Sequence, residues 1–197
     1  MGLEAHVEFL LKTLREEDST SDGMDRLVDY CASQCPDPVW QRLRQLDTRR
    51  DVDGIVSWME AVLLAEPPPH SINAFDLGLF DRSKDGVGFR CTLYVVGSER
   101  FSPSDPSGDW AVAPAYFPET RYAPSPVLAS LSEEASRCRG EAQGLVSYLL
   151  CLGYAALAVK ESSRALRANP KLVDTLSKPI AVGFDEGDLF FLPSDPN

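Results

Sequence analysis

The sequence predicts an α+β fold: an N-terminal helical bundle packed on a small, mainly antiparallel sheet, with one long central helix. Three observations carry this. Apolar residues recur at helical spacing through the first 66 residues. Two later segments, 75–95 and 180–192, alternate with a period of two. Between them, "LVSYLLCLGYAALAV" at 145–159 is apolar on nearly every side, which requires a central position. The chain of 197 residues is 44% hydrophobic and 25% charged, enough apolar material for a sizeable core. The expected organisation is a helical subdomain at 1–66 and an α+β region at 67–197, together forming one compact domain.

Leu3, Val7, Leu10 and Leu14 make the stripe of a first helix, which "EEDSTSDG" interrupts. Ser21 or Asp22 is expected to cap the second, whose stripe is Met24, Leu27, Val28 and Cys31. Asp37 as cap with Pro38 in the first turn starts a third, carrying Val39, Trp40, Leu43 and Leu46. A fourth runs from about Asp51 to Ala65, with Val52, Ile55, Met59, Val62 and Leu63 inward, and "EPPP" at 66–69 stops it.

The period then changes to two. Phe75, Leu77 and Leu79, then Phe89, Cys91, Leu93 and Val95, read as a hairpin turning at Asp85-Gly86. A loop rich in Ser, Pro, Asp and Gly follows at 99–109. "DWAVAPAYFPETRY" at 109–122 reads as a short extended segment. Ser125 is a cap for a helix holding Glu133 and Glu134. The long helix continues to Asn169-Pro170. Gly144, Gly153, Ala155 and Ala156 would admit close neighbours, and Gly153 is a candidate break. Ile180, Val182 and Phe184, a turn at Asp185-Glu186-Gly187, and Leu189 to Leu192 make a second hairpin.

The net charge is −11 and lies unevenly. Residues 1–66 hold fourteen acids and seven bases, whereas 139–197 hold seven and six. Such a surface disfavours nucleic acid and anionic membranes and favours a basic partner. Five scattered cysteines and no basic leader at the N-terminus suggest a reducing cytoplasm without disulfides. The apolar run of fifteen residues is shorter than the roughly 20 that a bilayer span needs, so a buried helix is expected rather than a membrane anchor.

Catalytic signatures are missing. Cys31 and Cys35 share a helical face, but the other soft ligands, His6, His70, Cys91, Cys138 and Cys151, are isolated, so neither a metal nor a cofactor is expected. "DRSKDGVGF" lacks the glutamate that closes a calcium loop. There is no GxSxG elbow, no phosphate loop and no GxGxxG. The segment 109–122 remains: aromatic residues and arginine are the types that anchor interfaces. Trp110 and Phe117 are expected in the core. Asp105, Asp109, Tyr116, Glu119, Arg121 and Tyr122 are the candidate partner-binding residues, with Glu119 and Arg121 the one compact polar pair that chemistry could also use. The function expected is that of a cytoplasmic protein-binding inhibitor, an immunity protein for a basic toxin domain or an adaptor. The alternative is a small enzyme with carboxylate or thiol chemistry.

Overall fold

The computed structural model describes residues 3–81, 90–101, 109–111, 113–185 and 189–193. Four helices come first: α1 (Leu3–Glu16), α2 (Thr20–Gln34), α3 (Val39–Leu43) and α4 (Thr48–Ala65). The strands β1 (Ala74–Asp81), β2 (Cys91–Leu93) and β3 (Val96–Ser98) follow, with a 3-10 turn at Asp109–Ala111. Then come α5 (Pro126–Arg137), α6 (Gly140–Gly144), a π-helical stretch at Leu145–Leu150, α7 (Cys151–Leu166), α8 (Val173–Leu176), β4 (Ile180–Phe184) and β5 (Leu189–Phe191). The fold is α+β with a long central helix.

Local chemistry sets most boundaries. Ser125 caps α5 by accepting from the Leu128 amide, with Pro126 in the first turn. Asp37 accepts from the Val39 amide at 2.8 Å and so serves the start of α3. The second helix departs from expectation: Ser19, not Ser21 or Asp22, is its cap, accepting from the Asp22 amide. The next amide, that of Thr20, is taken by Glu161 of α7 at 2.7 Å. A tertiary contact therefore chooses among four adjacent residues that are all good caps. α4 likewise begins earlier than expected, with Asp47 capping at the Arg50 amide.

α6, the π-helical stretch and α7 form one continuous helix over Gly140–Leu166, long and apolar enough to cross a membrane, with 78% of its apolar window buried inside the fold. α7 packs against α1, α2, α4, α5, α8, β1 and β4. Gly153 is not a break. A Cβ there would lie 2.4 Å from Leu27 Cδ1, so glycine lets α2 approach. Gly144 has no such neighbour: a Cβ at that position meets nothing within 4 Å. The irregular turn is at Leu145–Leu150 instead.

The sheet is mixed, in the order β2-β1-β4-β5, with β3 also paired to β1. β1 runs antiparallel to β2 and β3 but parallel to β4, with Phe75 opposite Ile180. β4 and β5 are antiparallel. The expected turn at Asp85-Gly86 lies outside the described residues, as do Glu186 and Gly187 of the one expected at Asp185-Glu186-Gly187, whose first residue follows β4. Alternation gives β1 two faces. Phe75, Leu77 and Leu79 join the helices in the main core, together with Leu93, Ile180 and Val182. On the other face Ala74 and Ala181 pack with Trp110.

Candidate functional site

The segment after the 3-10 turn is clamped to the body of the protein from several sides. Tyr116 bridges Gly97, its ring packs on Phe75 at 89°, and its hydroxyl donates to the Glu66 carbonyl at 2.8 Å. Glu66 closes α4, and its carboxylate accepts from the Glu119 amide at 2.8 Å and from the Thr120 hydroxyl at 3.0 Å. These hydrogen bonds, the Glu119 amide foremost, hold the Glu66 carboxyl below the usual glutamate range. The indole of Trp58 donates to the Thr120 carbonyl at 3.0 Å. The "EPPP" that stops α4 thus places an acid where it can receive a turn some fifty residues away in sequence.

What this loop presents differs from the sequence reading. Phe117, expected in the core, is 57% exposed, and Tyr116 is the buried neighbour at 5%. The bridge to Gly97 turns position 116 inward, and alternation then turns 117 out. Arg121 lies with its guanidinium carbon 3.8 Å from the Phe117 ring centroid and 4.8 Å from that of Tyr122. Its Nη1 donates to the Pro118 carbonyl, which fixes the fork over both rings. Glu119 is exposed through its side chain. The structure brings Tyr116, Glu119, Arg121 and Tyr122 into one hydrogen-bonded turn. Asp109 opens the 3-10 turn, and Asp105 lies outside the described residues. Trp110, as expected, is buried.

The strip continues beyond the loop. Tyr122 bridges Tyr94, and the two rings meet edge to face at 6.2 Å. The Tyr94 hydroxyl donates to Asp185 at the end of β4. The Tyr94 ring lies over Gly78, where any Cβ would come within 2.2 Å of the phenol. Two residues along the same face of β1 sits Asp76, 6% exposed, with Oδ1 buried and unpartnered among the described residues. Burial, and secondarily the charge of Asp185, pushes its carboxyl up to about 7.

No family model matches the chain, and no curated protein or solved structure matches it. The arrangement itself is therefore the guide to function. Sequence reasoning missed Asp76; the signal available was an acid inside the apolar alternation of "AFDLGLF". It missed Asp51 similarly. That residue is 5% exposed in the first turn of α4, where its carboxylate accepts from Ser125 at 2.5 Å and from the Tyr154 hydroxyl. This network ties α4, α5 and α7 together and is structural in geometry. Among the described residues no three His, Cys, Asp or Glu side chains gather as metal ligands.

Proposed function

We propose that this chain is a protein-binding inhibitor or adaptor that acts by covering a partner's surface, in the manner of a toxin-neutralising immunity protein. The observation that carries the reading is the exposed Phe117 stacked under Arg121 on a turn held by Glu66, Trp58 and Tyr116. Aromatic and arginine side chains dominate binding energetics when they are immobilised before contact, because little rotamer entropy is then lost. Tyr116 serves as the pillar beneath the loop, while Phe117, Glu119, Arg121 and Tyr122 are the contact residues. The acidic excess of residues 1–66 favours a partner with basic groups, and Asp185 beside Tyr94 extends the strip with a carboxylate that a lysine or arginine can meet. The expected setting is the cytoplasm.

The test is capture from native lysate by wild type, Phe117→Ala and Arg121→Ala at two ionic strengths. A stoichiometric partner held by wild type, lost from both variants and weakened by salt supports the reading. Equal capture by folded variants sinks it.

One observation favours a second reading, carboxylate chemistry at Asp76. A carboxyl that exchanges its proton near neutrality suits general acid–base work. Turnover of a small molecule that Asp76→Asn abolishes without changing its binding would favour this reading over the first.

A further inference from the structure

Asp76 is a buried carboxyl that the fold leaves without a counter-charge. It lies on the face of β1 turned away from the main core, opposite Val96 of β3 and Ala181 of β4, neither of which ionises. It is 6% exposed, and its Oδ1 has no hydrogen-bond partner among the described residues. Desolvation and the like charge of Asp185 both oppose its ionised form, and no cation among the described residues offsets them. Buried charges are ordinarily paired or hydrogen-bonded. Two carboxylates brought together in this way are short of one cation.

The phenol of Tyr94 links the two acids. Its hydroxyl donates to Asp185, its tip lies over Gly78, the next residue on the same face as Asp76, and the charge of Asp76 acts on it. Gly78 and Gly183, opposite each other in β1 and β4, put no side chain on this floor. Tyr122 meets the Tyr94 ring edge to face and adds a second aromatic wall. Asp185 is exposed and Tyr94 half-buried, so the approach to Asp76 is from the Asp185 side. Carboxylates beside aromatic rings are the chemistry that receives an ammonium group. A narrow approach ending at a buried carboxyl suits a compact ammonium on an apolar stem better than the broad planar fork of a guanidinium.

We infer that Asp76 and Asp185 form the seat for one ammonium group, that of a lysine side chain which a basic partner inserts beside Tyr94. The identity of the occupant rests on the protein-binding function proposed above; the seat itself does not.

The experiment is an NMR titration of the full chain, without a partner, with n-butylammonium at pH 5 and pH 8, and with methylguanidinium and butyrate for comparison. Saturable binding of butylammonium is expected, with shifts centred on Asp76, Gly78 and Asp185 and with weakening by salt. Below about 7 the ammonium must displace the proton that Asp76 holds, so affinity at pH 8 should exceed that at pH 5 by at least about tenfold. Asp76→Asn keeps the shape; it should erase that pH difference and weaken binding at pH 8 about tenfold, the scale of one charge-assisted hydrogen bond. Asp185→Asn, at an exposed position, is the second variant and should weaken binding at both pH values. No saturation by butylammonium, equal binding of butyrate, tighter binding of methylguanidinium, or wild-type behaviour in both folded variants would overturn the inference. Such a failure leaves the partner-binding function to its own test at Phe117 and Arg121, whereas failure of that test alone removes the lysine and not the seat.

Discussion

Tyr154 of the central helix donates its hydroxyl to the Asp51 carboxylate of α4 in the interior of the fold. Desolvation, with this bond, drives the phenol far above its usual range, so it stays protonated and donates at every ordinary pH. Asp51 Oδ1 already has no partner among the described residues, which makes the carboxylate dependent on Tyr154 and Ser125. Tyr154→Phe keeps the ring and removes the donor. It should cost about 1–3 kcal/mol, the penalty for a buried acceptor left short of partners. Urea unfolding measures it, with an unchanged m-value showing that the fold is intact.

Asp76 should make stability fall as pH rises. Its carboxyl goes from an ordinary 3.8 in the unfolded chain to about 7 in the folded one, so between these values the folded state holds the extra proton. Its contribution is fully present below about 4 and is lost as pH rises through about 7. Asp76→Asn should therefore gain on wild type at pH 8 and not at pH 4. Thermal melts across that range check this, and parallel curves for the two proteins would contradict it.

Gly153→Ala sets two effects against each other. Alanine in a helix interior is worth about 1 kcal/mol over glycine. The new methyl would lie 2.4 Å from Leu27 Cδ1 and 3.3 Å from Leu10 Cδ1, and overpacking a filled core costs about 1–3 kcal/mol. The net should be destabilising. Combining it with Leu27→Ala should recover part of the loss, a non-additivity that a double-mutant cycle reads directly.

Glu66→Ala should loosen the 116–122 turn without unfolding the protein. The expected readout is faster hydrogen exchange at the amides of Glu119 and Thr120, both of which donate to that carboxylate. Exchange unchanged at both would mean that Trp58 and Tyr116 suffice to hold the turn.

Thiol reactivity should single out Cys35. All five cysteines are free, and Cys31, Cys91, Cys138 and Cys151 are buried. Burial pushes the Cys31 thiol up to about 12 and raises Cys138 and Cys151 as well. Under native conditions an aromatic disulfide reagent should label Cys35 first, and mass mapping identifies the site. Rapid labelling of Cys151 would show that α7 opens readily.

Features decided within one turn of chain were legible in the sequence, and those decided across the fold were not. The Ser125 cap and the stripes of α2 and α4 follow from spacing alone. The choice of Ser19 over Ser21 depends on Glu161, which lies far along the chain. The exchange of roles between Tyr116 and Phe117 has the same origin. Phenylalanine is the more often buried of the two types, but pairing with Gly97 sets the parity, and nothing local encodes that register. Period-two alternation identified β1 and its inward face. It did not reveal the parallel partner β4, which arrives about a hundred residues later, nor that Trp110 would pack on the opposite face with Ala74 and Ala181.

The π-helical stretch at Leu145–Leu150 has a consequence for how the gene can vary in length. A π-turn holds one residue more than the α-turn it replaces. Loss of a residue within it can be absorbed by relaxation to an α-turn, leaving the phase of everything downstream intact. Loss of a residue at 151–159 has no such slack. It would rotate the remainder by about 100°, swinging Lys160 away from the Leu14 and Glu17 carbonyls and Glu161 away from the Thr20 amide. In-frame deletions in the central helix should therefore survive at 145–150 and be purged beyond it.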